Sequence, residues 1–393
     1  MGEVPTGLYA HIPYCRQKCP YCDFNVWVEP ASGGLWGQLE ATMLRELEVR
    51  AACFAVYPLR SIYFGGGTPS LAPVAFFANL LDAIGRLFHV LNDVEITIEV
   101  DPQTANLDKF RDLQRLGINR INFGWQSTHD TILKVLGRGH NSAQSRRDFD
   151  LARLAGFENI GIDLIAAVPG QSLGALEEDL RAIEDLDPEH VSVYQLTYHA
   201  NTIFDRERRA GRLVPVDEER EAQMLERIES SLLAAGFEHY EVSNYARQGY
   251  RSIHNSGYWQ GQPYLGIGPG AHSFLPKGDD QGWRWENVRG ANSYFGVWRE
   301  ESFWSTPPRT NDDSVGFVEE LDRTQRLTER IICGVRTVEG IPKTWLSSID
   351  SEVLDRGLKR AKGLRWLREE PDRWIPTDLG LRFADGLAEL LSP

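Results

Sequence analysis

Six short runs rich in β-branched and aromatic residues, each followed by a longer stretch with apolar residues at helical spacing, fill the first half of the chain. The strand-like runs are 8–12, 61–64, 94–100, 120–123, 160–165 and 191–196, and the spacing predicts helices over 35–52, 74–88, 107–116, 143–155 and 173–186. In the first helix Leu35, Leu39, Met43, Leu44 and Leu47 share one face. Gly117 and Gly156 close two of the others just before the next strand begins. Regular β-then-α succession packs best as a parallel sheet under helices. Six units are fewer than the eight of a closed barrel, so the expected fold is α/β: a partial, crescent-like (β/α)6 barrel of the TIM type, with its working end where the strands finish.

Beyond residue 205 the pattern changes. Residues 218–235 read as a long acidic amphipathic helix, and 244–292 are rich in Gly, Tyr, Trp and Asn with little periodicity, as expected of a loop-rich layer over the barrel mouth. From 324 the chain reads helix, helix, two short strands (364–368 and 373–376) and a last helix, the order of a winged-helix-like module. The expected organisation is a barrel over 1–205, a connecting lid over 206–320 and a C-terminal module over 321–393.

Charge bears on partners. The 393 residues hold 42 Lys and Arg against 56 Asp and Glu, a net of −14. Residues 321–393 hold 13 against 12, a net of +1 that attracts phosphate weakly, so no nucleic-acid partner is expected. No apolar run reaches the ~18 residues needed to span a bilayer, and the first residues lack a basic and an apolar leader region, so no transmembrane segment and a cytoplasmic location are expected. Gly2 to Thr6 fits a myristoylation pattern only formally, with a strand starting at Leu8.

Five cysteines are too few and too uneven for a disulfide framework, and Cys15, Cys19 and Cys22 crowd into eight residues directly after the first strand. Cys53 and Cys333 lie in apolar helical surroundings and read as buried small hydrophobes. Thiolates at i, i+4 and i+7 on a tight loop can hold three corners of an iron–sulfur cubane, leaving the fourth iron open to the amino and carboxylate groups of S-adenosylmethionine. A Cys3His zinc site completed by His11 is the alternative, and it leaves the other motifs unexplained. Chief among those is Gly65, Gly66, Gly67 and Thr68 at the end of the second strand, where glycines let backbone approach a ligand closely.

CxxxCxYC after strand one and GGGTPS after strand two resemble the radical S-adenosylmethionine superfamily. The motifs continue with Glu99 to Pro102, Asn122 to Ser127, Leu136 to Arg138, Asp163 to Ile165 and Val168 to Gln171, a series similar to the oxygen-independent coproporphyrinogen III oxidase family over nearly the whole chain. Oxidases of that family carry a fourth cysteine two places after the third and a longer N-terminal segment. Here Phe24 stands in that place and eight residues precede Tyr9, while the run from His254 to Trp259 matches the HNxxYW motif of the family's heme-chaperone branch.

The resemblance implies a 4Fe-4S cluster on Cys15, Cys19 and Cys22. It implies S-adenosylmethionine beside that cluster, flanked by Tyr9 and Tyr21, with Gly66, Gly67 and Thr68 at its amino-acid end and Glu99, Gln126, Arg138 and Asp163 as polar contacts around the rest. Heme would be the cargo and His254 its candidate ligand, with His11 and His272 as rivals; the partners would be heme-acceptor proteins at the membrane and a second copy of the chain in a homodimer. The rival activity is oxygen-independent coproporphyrinogen III oxidation. A tRNA-modifying radical enzyme shares the cluster logic but calls for a phosphate-binding surface. The chain departs from the family at Ala166 and Ala167, at 199–202, and at Trp125 before Gln126. Trp283, Trp285, Trp298 and Trp304 are assigned no role.

Overall fold

The computed structural model describes residues 4–30, 34–299, 307–310, 312–349 and 351–392, so Gly2 and Trp304 lie outside the described residues. Its first half is the predicted succession. Strands β1 (Thr6–Ile12), β2 (Leu59–Gly66), β3 (Val90–Val100), β4 (Arg120–Gln126), β5 (Ile160–Ala166) and β6 (His190–Gln195) lie side by side in chain order, every neighbouring pair parallel. Between them run α1 (Trp36–Phe54), α2 (Val74–Leu87), α3 (Leu107–Arg115), α4 (Ser142–Leu154) and α5 (Leu173–Leu186). The caps are written in the residues: Asn106 and Ser172 accept from the third helical N–H, and Asn141 with Gln144 forms a capping box.

A parallel sheet under helices is buried on both faces, and its strands are accordingly almost continuously apolar. Leu8, Ala10, Ile12, Phe64, Ile98 and Ile121 join Leu39, Met43, Leu47 and Phe54 of α1 in one core. Polar residues interrupt these strands: Glu99 lies one residue before the end of β3, opposite Asn122 of β4, and Asp163 lies midway along β5.

The segment 206–320 is more regular than its composition implies. After α6 (Glu218–Ala234), β7 (Glu238–Glu241) and β8 (Asn244–Ala246) add antiparallel to β6. Helix α7 (Ile253–Trp259) leads into β9 (Tyr264–Ile267), which pairs parallel with β1, and β10 (His272–Lys277), β11 (Gln281–Asn287) and β12 (Val315–Leu321) follow antiparallel. One twelve-stranded sheet results, in the order β12-β11-β10-β9-β1-β2-β3-β4-β5-β6-β8-β7. The partial barrel thus gains a seventh parallel strand, supplied from far along the chain.

The C-terminal residues form a module with its own core of Ile331, Val335, Ile341, Leu367, Leu387 and Leu391. Helices α8 (Arg323–Gly334), α9 (Ser351–Gly363) and α10 (Ala384–Leu391) pack beside a small antiparallel sheet of β13 (Ile341–Pro342), β15 (Arg373–Pro376) and β14 (Leu367–Glu369), the helix-and-wing arrangement expected. The module docks along β7, where Val242 N donates to Arg336 O at 3.0 Å and Arg251 pairs with Glu339 at 2.7 Å.

Candidate metal centre and adjoining cavity

The three clustered cysteines sit on a loop that leaves β1 and is closed at its neck by a short parallel ladder of Tyr14–Cys15 against Trp27–Val28. Trp27 N donates to Pro13 O and Glu29 N to Cys15 O, both at 2.8 Å. Cys15, Cys19 and Cys22 are all half-buried and all free thiols. Burial pushes the Cys15 thiol up to about 11, although Thr68 Oγ1 donates to its sulfur at 3.4 Å. Such a thiol becomes a thiolate only against a strong positive partner such as a metal.

Among the described residues no three Cys, His, Asp or Glu side chains converge on a point that one metal ion would fill. Three thiols on one loop can take three corners of an iron–sulfur cluster, whereas a tetrahedral zinc ion calls for a fourth ligand. His11 is also committed elsewhere: its Nε2 meets Asn25 O at 2.9 Å and its Nδ1 meets Tyr9 OH at 3.1 Å. Burial lowers its pKa to about 4.

Below the cysteine loop the three glycines form a close cradle. Gly67 N donates to Ile12 O at 2.8 Å and Thr68 N to Tyr14 O at 2.7 Å. A Cβ on Gly67 would lie 2.6 Å from Pro13 O, and Gly66 has φ +118° with His11 2.7 Å from where its Cβ would stand. Side chains are excluded there, which leaves backbone facing the space beside the sulfurs.

The polar residues surround that cradle. Glu99 accepts from Tyr63 OH at 2.9 Å and from Gly66 N at 3.0 Å, and burial, aided by Asp163, pushes its carboxyl up to about 7. Asp163 accepts from Asn122 at 2.7 Å, and burial raises it too. Arg138 reaches Cys19 Sγ at 3.7 Å and Gly124 O at 3.1 Å and is ion-paired with Asp101. Gln126, at the end of β4, has φ +68°, a left-handed conformation that few non-glycine residues hold without support. Tyr9 stacks on Tyr63 with centroids 6.0 Å apart, and Tyr21 packs near Phe204 at 6.3 Å. The parallel strands therefore deliver to one edge the residues that the motifs single out. The structure adds two that sequence reasoning missed: Tyr63, which holds Glu99, and Asn25, whose side chain ties the cysteine loop to Pro269 O at 2.9 Å and Arg289 O at 3.1 Å. Neither residue type carries a motif signal by itself.

Next to this edge opens a cavity of about 790 Å³. Tyr9, Gly66 and Glu99 line it together with Tyr258, Trp259, Phe274 and residues of α8. His254 is placed beneath it, in the barrel interior. Its Nδ1 meets Ser61 Oγ and its Nε2 meets Tyr258 OH, both at 2.9 Å, and its ring stacks on Tyr63 at 5.0 Å. Burial, reinforced by Arg120, lowers its pKa to about 3. Both ring nitrogens are thus engaged, and a metal at either one must displace a hydrogen bond. Cys53 and Cys333 are half-buried, not fully buried as expected, and Cys333 reaches the cavity wall because the last turn of α8 faces it. Trp285 and Trp298 are core residues.

Comparison with known proteins fits this geometry. The Radical SAM superfamily pattern matches residues 9–183. The chain is 33% identical to the heme chaperone HemW of Escherichia coli over 98% of both chains. It is 33% identical to that of Mycobacterium tuberculosis over 100% of this chain and 96% of the relative. The bovine mitochondrial radical S-adenosyl methionine domain-containing protein 1 is 36% identical over 70% of this chain and 62% of its own. Among solved structures, the coproporphyrinogen III oxidase HemN of Escherichia coli, a radical SAM enzyme, superposes with a TM-score of 0.81 at 21% identity, covering 99% of this chain and 90% of that one.

Proposed function

Since the chain belongs to the HemW heme-chaperone family of radical SAM proteins, we propose that it binds heme beside an iron–sulfur centre and hands it to hemoproteins at the membrane. The observation that carries this reading is the near end-to-end likeness to proteins named as heme chaperones; Phe24, 63% exposed, stands where the sequence resemblance would give an oxidase a fourth cysteine.

In this reading Cys15, Cys19 and Cys22 hold a 4Fe-4S cluster, and Gly66, Gly67 and Thr68 receive the amino-acid end of S-adenosylmethionine. Tyr9 and Tyr21 flank it, and Glu99, Gln126, Arg138 and Asp163 contact the remainder. When loaded, the cluster supplies a one-electron donor next to a sulfonium. The chain's own residues do the positioning. Arg138 places positive charge against Cys19, Thr68 steadies Cys15, and Glu99, with its carboxyl near 7, accepts from Gly66 N or shares a proton with a ligand hydroxyl. His254 holds the hydroxyl of Tyr258, a residue of the cavity wall. No helix among the described residues is long and apolar enough to cross a membrane, so acceptors at a membrane would be met from the aqueous side, in keeping with a cytoplasmic location. The net charge of −14 argues against nucleic acid as partner.

Coproporphyrinogen oxidation is the rival, and it is favoured by likeness of fold alone. Anaerobically reconstituted protein is expected to bind hemin with a defined Soret band and to leave coproporphyrinogen III unchanged in the presence of reductant and S-adenosylmethionine. Protoporphyrinogen as a product overturns the chaperone reading.

A further inference from the structure

The cysteine loop is tied down at two places, and the ties lead to different halves of the sheet. Its first part rests on the loops of the parallel strands: Gln17 Nε2 donates to Gly137 O at 2.6 Å, Arg138 reaches Cys19 Sγ at 3.7 Å, and Phe204 N donates to Pro20 O at 3.0 Å. Its last part, beyond Cys22, turns to the other half of the chain.

Asn25 makes that second tie. Its side-chain nitrogen carries two hydrogens, and both are spent, on Pro269 O in the β9–β10 turn at 2.9 Å and on Arg289 O just beyond β11 at 3.1 Å. These partners lie 244 and 264 residues further along the chain. They also fix the orientation of the carboxamide, because its oxygen turned that way would meet two acceptors. Trp27 Nε1 adds a bond to Arg289 O at 3.2 Å. The approach is close: a Cβ on Gly270, whose φ is +74°, would stand 2.8 Å from Asn25 Nδ2.

The backbone of the same residue joins this tie to β1. Asn25 O can only accept, so His11 Nε2, 2.9 Å away, carries the hydrogen; buried and neutral, His11 then offers a bare Nδ1 to Tyr9 OH at 3.1 Å. Donation therefore runs one way, from Tyr9 through His11 to Asn25 and on to the far edge of the sheet. Cys22 stands three residues before Asn25. Its own N–H donates to Cys19 O at 3.2 Å, a bond inside the loop. The neighbouring pair of Asp23 with His199, at 3.3 Å, is about half exposed on both sides and adds little.

We infer that Asn25, through the two hydrogens it donates, is the positioning residue for Cys22: it fixes the third cysteine against the β9–β11 edge, so that the cluster site is complete only when the far half of the sheet is in place. The inference rests on the reading of Cys15, Cys19 and Cys22 as cluster ligands. It assigns the placing of the third ligand to a residue outside the cysteine motif.

The test uses the full-length chain and Asn25→Asp, which keeps the shape of the side chain but turns its donors into acceptors. In metal-free protein, alkylation by iodoacetamide, read at each cysteine by mass spectrometry, is expected to quicken about tenfold at Cys22, the size of one to two lost hydrogen bonds that let the segment open, and to keep the wild-type rate at Cys19. Asn25→Ala, which removes the donors without adding charge, is expected to do the same. Gln17→Ala, at the other tie, is expected to leave Cys22 unchanged. After anaerobic reconstitution both Asn25 variants are expected to retain less iron and sulfide than wild type and, in the fraction that loads, to shift the electron paramagnetic resonance of the reduced cluster. Wild-type alkylation and loading in N25D would show that the shape of the side chain suffices, and equal quickening at Cys19 and Cys22 would show a general loosening of the loop; either result overturns the assignment. A wild type that holds no iron or sulfide is a different failure: it removes the cluster reading, while the alkylation pattern still decides whether Asn25 sets Cys22.

Discussion

His254 is bound from three sides: Ser61 and Tyr258 at its ring nitrogens and Glu95 Oε1 at its backbone N–H, 3.0 Å away. Replacing it with Phe keeps a ring in the stack but orphans two hydroxyls, a cost of about 2–4 kcal/mol in unfolding free energy. The sign of the pH effect follows from the lowered pKa. An imidazole that titrates at about 3 when folded and near 6.5 when unfolded contributes stability that is complete above the unfolded value and is lost as pH falls. The stability gap between wild type and H254F, measured by urea unfolding, is therefore expected to narrow from pH 7.5 to pH 5. A constant gap would mean that the imidazole takes up its proton as readily in the fold as in the unfolded chain. At the cradle, Gly67→Ala places a methyl against the Pro13 and Tyr14 carbonyls. Overpacking of this kind costs about 1–3 kcal/mol, and because those carbonyls belong to the cysteine loop, iron and sulfide retained after reconstitution should fall as well. An alanine variant with full iron content would show that the cradle does not set the loop.

At the scale of elements, the tie between α1 and the β9–β10 turn is a buried carboxylate. Glu46, fully buried, accepts from Gly268 N at 2.8 Å, from Asn287 at 2.5 Å and from Tyr294 OH at 2.5 Å. Glu46→Ala strands those donors, so unfolding free energy should drop by about 2–4 kcal/mol. Hydrogen exchange should quicken first in 264–277, the stretch that carries His272, and uniform quickening would show the tie to be global. This element also shows what could be read beforehand. The six parallel strands and five helices were legible because each announces its own period, and Gly117 and Gly156 mark where two of the helices stop. The sheet's other half was not, because Tyr264–Ile267 owes its place to β1 at the opposite end of the chain, and a short run rich in glycine and aromatics carries no local sign of that pairing. The same contrast holds in the site. Cysteines and a glycine run are residue types with narrow uses, whereas Asn25, Tyr63 and Glu46 earn their roles only from the neighbours folding brings.

For the whole molecule, barrel and module behave as one body only so long as their seam holds, and the cavity depends on that seam because α8 forms one of its walls. Beside β7 the seam joins backbone hydrogen bonds to ion pairs: Val338 N donates to Tyr240 O at 3.2 Å, and Arg382 of the module pairs with Glu229 and with Glu226, the latter at 3.1 Å, both on α6. His239 and Arg382 hold the Glu229 carboxyl down at about 2. A carboxyl depressed in this way stabilises the fold fully above its unfolded value, near 4.5, and the contribution is lost as pH falls toward 2. Arg382→Ala removes the partner; the side chain is 28% exposed, so the cost is about 1–2 kcal/mol, below the ~3–5 of a fully buried pair. Hydrogen exchange is expected to accelerate across 323–391 at pH 7 while β1 to β5 keep their protection, and lowering the pH from 5 to 3 should loosen the module in wild type more than in R382A. If R382A instead unfolds barrel and module together at a single lowered midpoint, the seam is part of one cooperative core and the cavity wall has no freedom of its own.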